Sequence, residues 1–303
     1  MIAGRTVWVV IPAFQEELLV ATVVRGVPQE VDHIVVVDDA STDGTAASVR
    51  ASACARTELV CHAANRGVGA SIVTGYQHFL AHCADARAVC VVMAGDNQMD
   101  PADLKGLIAA INDGADYAKG NRFATAAARQ AMPALRWFGN VGLTIGTRVS
   151  TGLWHVADSQ CGYTASTRAV LARIALDELY PRYGFPNDML LHVALAQGRV
   201  ADVPVRAVYA EERSKIRVLR VAPRIAALLV RGFWRRTGAC SAHGWMLRGL
   251  WAAACAAFGG SIAAAVAATG TAGPLFLVGV SCAVAALLLD SLRCLQAPCV
   301  CSH

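Results

Sequence analysis

The sequence predicts an α/β fold on a mainly parallel sheet, followed by a C-terminal pair of membrane-spanning helices. Three observations carry this. Between Val7 and Asn112, four short runs rich in β-branched residues alternate with helix-length amphipathic segments, the pattern of βαβ units whose sheet is covered on both faces. A polar cluster follows each of the four runs, so all four clusters open on one edge, where such sheets bind ligands. Over residues 249–289, about forty positions pass without an Asp, Glu, Lys or Arg.

In order along the chain, residues 7–11, 33–37, 58–61 and 88–93 read as strands, and residues 17–27, 45–53, 70–82 and 101–112 as helices. Asp100 before Pro101 supplies a side-chain cap and a proline suited to the first helical position. The pattern is less regular from residue 134 on: a helix is predicted over 136–149, a strand near 160–164 and a helix over 188–197.

The segment 216–236 is basic and amphipathic. Arg224, Arg231 and Arg235 share one helical face, and Ile225, Leu228, Leu229 and Phe233 populate the other, which predicts a helix in the membrane interface. Residues 249–269 have the length of one span and 275–292 of a second, joined by a turn at 269–274. Arginines before the first span and Arg293 after the second put both flanks on the cytoplasmic side. The expected organisation is a domain over 1–215, an interfacial segment over 216–248, two spans over 249–292 and a cytoplasmic tail over 293–303.

The chain is 55% hydrophobic and only 16% charged, which excludes disorder. Its net charge of +5 is concentrated at Lys215, Arg217, Arg220, Arg224, Arg231, Arg235, Arg236 and Arg248, ahead of the apolar tail. That placement suits an anionic lipid bilayer; nucleic-acid binding would call for aromatic residues interleaved with the charge in the folded domain. Eleven cysteines without a repeated spacing argue against a secreted disulfide framework and for a reducing cytoplasm. The terminal Cys294, Cys299, Cys301 and His303 lack a second ligand pair in a fixed loop and are not read as a metal centre. Oligomeric state is not legible.

Carboxylates at strand ends are the first candidates for chemistry. Asp38 and Asp39 follow the second strand and can accept hydrogen bonds from a nucleobase or ribose; Ser41, Thr42, Asp43 and Gly44 can form the turn and cap the next helix. After the fourth strand come Asp96 and Gln98, oxygen ligands of the kind that Mg²⁺ or Mn²⁺ takes together with substrate phosphates. His33, His62, His78, His82, His155 and His192 form no metal-ligand spacing except His78 with His82, where no acidic partner is adjacent in sequence. Gly67 and Gly69 lack the third glycine of a dinucleotide loop, so an NAD reading is rejected.

In order and spacing, VIPAFQEE from Val10, VVVDDASTDGT from Val35, NRGVGAS from Asn65, VVMAGDNQMDP from Val91, KGNRF from Lys119, DSQCGY from Asp158 and YGFPNDMLL from Tyr183 resemble family 2 glycosyltransferases with the GT-A fold. Within that family the likeness is to the dolichyl- and polyprenyl-phosphate sugar transferases, and it runs over about residues 7–217. The resemblance implies that Pro12, Phe14, Glu16, Val37, Asp39, Gly95 and Asp96 bind a nucleotide-sugar donor. It implies that Asp96 and Gln98 hold a divalent cation, Mg²⁺ or Mn²⁺, although Ala94 stands where the family has its first acidic residue. It implies that Arg122 faces the donor or its phosphates, that Arg136 contacts phosphate, and that Arg213 and Lys215 close over the diphosphate. Asp188 or Asp158 would serve as general base for a hydroxyl acceptor, with Gln160 a further donor or acceptor contact. A polyprenyl phosphate, largely dianionic at neutral pH, needs no base. The expected protein is thus an inverting, membrane-bound transferase acting on a polyprenyl phosphate at the cytoplasmic face; the alternatives are transfer to a glycan or other hydroxyl acceptor, or a non-catalytic sugar-nucleotide-binding membrane protein.

Overall fold

The computed structural model describes residues 1–124, 134–206, 218–239, 249 and 252–253. Seven strands form one sheet in the order β3-β2-β1-β4-β6-β5-β7: β1 (Val7–Ala13), β2 (His33–Asp38), β3 (Thr57–Cys61), β4 (Val89–Val92), β5 (Tyr117–Asn121), β6 (Thr164–Thr167) and β7 (Val200–Pro204). Only β6 runs against its neighbours β4 and β5; every other pair is parallel. The helices are α1 (Val20–Gly26), α2 (Thr45–Ser52), α3 (Val68–His82), α4 (Leu104–Asn112), α5 (Ala134–Thr151), α6 (Arg168–Arg173), α7 (Phe185–Leu195) and α8 (Val218–Ala239).

The period-two alternation of the strands sorts two cores onto the two faces. Val7, Val9 and Ile11 of β1 join Ile34, Val36, Val89 and Val91 beneath α1 and α4. Trp8 and Val10 join Val35, Val37, Cys90 and Val92 beneath α3 and α7. Gly75 lets α3 lie directly on β1, because a Cβ there would run into the Val10 side chain.

The first four predicted strands and helices are present with small shifts at their ends. The helix expected over 17–27 begins only at Val20, because Glu17 is drawn away to accept from Gly44 N at 3.1 Å. Asp100 caps as expected, accepting from Ala102 N at 2.8 Å, and the first turn from Pro101 is a 3₁₀ helix that continues into α4. The strand expected near 160–164 is displaced to Thr164–Thr167, and residues 160–163 form a loop. His78 does have an acidic neighbour, Glu58 of β3, at 2.9 Å.

The basic segment forms a helix, as expected, and one face of it packs on the domain. Its helix α8 packs on α5 and α7, with Ile225 and Leu228 buried against protein. Arg236 is also buried: its Nε and Nη2 donate to the carbonyls of Ser150 and Val149, each at 2.9 Å, at the C-terminal end of α5. Val230 and Trp234 remain exposed on the outer face, with Arg224 and Arg231. Among the described residues no helix is long and apolar enough to cross a membrane; apart from residues 249 and 252–253, the two predicted spans lie outside them.

Candidate active site

The carboxyl ends of β1, β2 and β4 meet in a cavity of about 300 Å³. Each strand leaves through one non-glycine residue in the left-handed region: Gln15 (φ 55°), Ala40 (φ 59°) and Asn97 (φ 58°). Such residues are uncommon outside functional turns. The first two turns are laced together, since Gln15 N donates to Ser41 Oγ and Glu16 N to Thr45 Oγ1, both at 2.9 Å. Asp43 accepts from Thr45 N at 3.0 Å, one residue before the N-cap Gly44, and so closes the start of α2.

Pro12, Phe14, Glu16, Asp39, Gly95 and Asp96, six of the expected donor-site residues, all line this cavity. Val37 does not: its side chain is fully buried in the core beneath α3, because the alternation of β2 turns it there. Asp38 is likewise held in a local turn, accepting from Ser41 N at 3.3 Å.

Asp39 is almost wholly buried yet richly bonded. Its Oδ1 pairs with His62 Nδ1 at 2.7 Å and accepts from Arg66 N at 2.8 Å, and Oδ2 accepts from Gly67 N at 2.7 Å. Burial pushes the carboxyl up, but the hydrogen bonds from Arg66, His62 and Gly67 outweigh it and hold the group below its ordinary value. His62 is tied on its other side to Thr74 Oγ1 at 3.0 Å.

At the other strand end, Asp96 Oδ1 accepts from Gln98 N at 3.1 Å. Gly95 lies over β1, where a Cβ would stand 3.2 Å from Pro12 O. Ala94 lines the cavity beside Asp96, and Gln98 does not. Among the described residues no three His, Cys, Asp or Glu side chains are grouped to hold a metal. One carboxylate with an amide nearby is an all-oxygen set that fits a hard divalent cation only when the donor's phosphates complete its shell.

Arg122 and Asp158 form a forked ion pair, Nε to Oδ2 at 2.7 Å and Nη2 to Oδ1 at 3.1 Å, and Arg122 N also donates to Oδ2 at 3.2 Å. Burial raises the Asp158 carboxyl, but Arg122 more than reverses it, so the group stays below its usual value. Beneath them Lys119 is fully buried, with Nζ donating to Cys161 O at 2.5 Å and its pKa lowered by burial. Gln160 Nε2 donates to Asn187 Oδ1 at 2.6 Å. Asp188 is buried and accepts from Tyr180 N at 2.8 Å, with His192 Nδ1 3.8 Å away; burial keeps its carboxyl above the usual range despite these neighbours. Arg122, Asp158, Gln160 and Asp188 are therefore not among the residues lining the cavity. Arg136 falls on the first turn of α5, where only the backbone is described, and Arg213 and Lys215 lie outside the described residues.

Asn65, Gly67, Val68, Ser71, Arg182 and Tyr183 also line the cavity and were not singled out as ligands. The first four stand in or beside the NRGVGAS run, whose fixed spacing was the available signal. Arg182 and Tyr183 arrive from far along the chain: Tyr183 opens the YGFPNDMLL run, and Arg182 stands just before it.

The fold is that of glucosyl-3-phosphoglycerate synthase from Mycobacterium tuberculosis, solved with Mn²⁺, UDP and glucosyl-3-phosphoglycerate: TM-score 0.58 and 20% identity, over 78% of this chain and 81% of that one. That likeness defines a GT-A-like architecture. Residues 8–179 match Glycosyl transferase family 2, and the chain belongs to that family of sugar-transferring enzymes. Among its relatives are the UDP-N-acetylglucosamine--dolichyl-phosphate N-acetylglucosaminyltransferase of Methanococcus voltae, 26% identical over 69% of this chain and 88% of that protein, and the polyprenol monophosphomannose synthase of Mycolicibacterium smegmatis, 30% identical over 65% and 75%.

Proposed function

We propose that this enzyme moves a sugar from a nucleoside-diphosphate donor to the phosphate of a polyprenyl phosphate at the cytoplasmic membrane surface, with inversion at the anomeric carbon. The observation that carries the donor side is the cavity with Asp39 at one strand end and Asp96 at another. The names of the two relatives support the acceptor. So does the state of the candidate bases: Asp158 is locked to Arg122 and Asp188 is enclosed. A hydroxyl acceptor would need one of them free, whereas a phosphate dianion is already a nucleophile.

In this reading Asp39 accepts a hydrogen bond from the nucleoside and Phe14 packs on it. A divalent cation at Asp96 would neutralise charge developing on the departing diphosphate. Asp158 holds the Arg122 fork in a fixed orientation at the end of β5, a preorganised cation for phosphate oxygens. Release of nucleoside diphosphate should be stimulated by polyprenyl phosphate and need a divalent cation. Equal release without lipid, or stimulation only by hydroxyl acceptors, would reject the reading.

A further inference from the structure

Lys119 opens the KGNRF run and is among the largest fully enclosed side chains of the domain. Its Nζ donates to Cys161 O at 2.5 Å, and among the described residues no ion pair reaches it. An ammonium so placed is costly, and a methionine would fill similar space with no charge to desolvate. The charged and titratable groups around it are Cys161 and Asp158 of the loop before β6, Arg122 just past the end of β5, and Asp202 of β7. The end of β5 is stapled to the loop before β6 at several points. Besides Lys119 with Cys161, Gly120 N donates to Tyr163 O at 2.8 Å and Arg122 N to Asp158 Oδ2 at 3.2 Å. Lys119 and Arg122 are therefore held in fixed relation.

Charge counting gives this burial a purpose. Arg122 is matched by Asp158, so their fork carries no net charge and by itself offers a phosphate dianion aimed donors but little field. Asp202 is the other acid near Lys119. Its Oδ2 is spent on neutral donors, Ala157 N at 2.7 Å and Asn121 Nδ2 at 3.1 Å, and burial holds its carboxyl above the usual range. It therefore offsets Lys119 less than Asp158 offsets Arg122, and the group keeps an excess of positive charge. Lys119 stands three residues before Arg122, about 10 Å along an extended chain. Inside the domain such a charge is screened far less than at the surface.

We infer that Lys119 is a positioning residue for a substrate phosphate: its buried charge makes the Arg122–Asp158 fork net positive, and the phosphate held at Arg122 is the counter-ion that Lys119 lacks. Arg122 touches the phosphate and Lys119 acts through it. The inference rests on the transferase reading and adds to it the source of the charge.

Equilibrium binding of two probes to the full chain in detergent tests it: farnesyl phosphate, a short acceptor, and pyrophosphate with Mg²⁺, the phosphates of a donor. Lys119→Met removes the charge and the hydrogen bond, whereas Lys119→Gln removes the charge and keeps a donor for Cys161 O. Both variants should weaken at least one probe by about tenfold, the effect of a unit charge about 10 Å away at an effective dielectric constant of about 20. Loss for farnesyl phosphate alone puts the charge behind the acceptor, and loss for pyrophosphate alone puts it behind the donor; either supports the inference. Arg122→Ala with Asp158→Asn should weaken the same probe. Affinity of the unaltered chain should also fall as pH rises toward the ordinary lysine value of about 10.4, because burial lowers the Lys119 pKa and the ammonium is present below it and lost above it. Lys119→Gln should not show that fall. Unchanged circular dichroism confirms that each variant is folded. If Lys119→Gln binds both probes as the unaltered chain does and only Lys119→Met is impaired, Lys119 is a neutral staple for Cys161 and the inference is overturned. No loss in either variant overturns it too, as does an alkaline fall that persists in Lys119→Gln. Should neither variant fold, constant affinity of the unaltered chain across the pH series overturns it. Failure of the unaltered chain to bind either probe would reject the transferase reading as well.

Discussion

Arg122 shows how a single residue can answer for both stability and chemistry. Its fork neutralises a carboxylate, Asp158, that is completely buried. Removing one partner of such a pair strands the other charge, at a cost of about 3 kcal/mol. Arg122→Ala should therefore lower the melting temperature by roughly 10 °C in addition to abolishing transfer. The paired change Arg122→Ala with Asp158→Asn should recover most of the melting temperature and none of the activity. Recovery of activity in the double variant would make Arg122 purely structural. Asp96 is the cleaner probe, because it lines the cavity and is only partly buried: Asp96→Asn should cut turnover by about a hundredfold or more with little change in melting temperature. Ala94 lines the same cavity, so Ala94→Asp should lower the Mn²⁺ concentration needed for half-maximal activity; an unchanged requirement would show that position 94 stands clear of the ion. At this scale the sequence pointed to Asp39 and Asp96 because a strand-end carboxylate is a local feature. It did not point to His62 and Thr74, which stand behind Asp39, or to Arg182 in the cavity lining; these are brought there only by the packing of α3 and of the loop before α7.

Among the elements, α8 departs furthest from its pattern. Charge and apolar residues segregate along it as they would on a lipid surface, yet its inner side is a packed interface. Gly146 and Gly232 make the approach possible: a Cβ on Gly146 would meet Leu229 Cδ1 at 2.9 Å, and one on Gly232 would meet Ser150 Oγ at 2.5 Å. The buried Arg236 guanidinium bonds two carbonyls at the end of α5, which a helix leaves without partners of its own. Arg236→Ala should cost about 2–3 kcal/mol, read as a fall of roughly 5–10 °C in thermal denaturation. Arg236→Lys should recover less than half of that, since an ammonium cannot fork to both oxygens. Charge periodicity alone cannot separate an arginine facing lipid from one capping a neighbouring helix. The same blindness to context hid β5 and β7. Tyr117–Asn121 carries Lys119 and Gly120, and Val200–Pro204 ends on a proline, so neither shows the apolar alternation that made β1 and β2 plain.

For the whole molecule, the proposed acceptor raises the question of how the donor cavity would meet a substrate whose tail stays in lipid. Val230 and Trp234 on the outer face of α8 are exposed, and Arg224 and Arg231 flank them. Such a face suits the headgroup layer, where aromatic and basic side chains are both favourable. The apolar run 249–289 follows in the sequence. Arg236 and Thr237 are buried, so a truncation meant to spare the domain must fall after Ala239 rather than at the arginines. A chain ending at Ala239 should bind donor nucleotide as the full chain does. It should use long-chain polyprenyl phosphate in vesicles at least about tenfold less well, with short water-soluble analogues affected less. Val230→Asp with Trp234→Asp in that truncated chain should then abolish flotation with anionic vesicles, because each aspartate opposes both apolar insertion and the surface potential. Equal use of long and short acceptors by the truncated enzyme would mean that residues beyond Ala239 only localise it. Unchanged flotation of the double aspartate variant would mean that α8 turns its outer face away from the membrane.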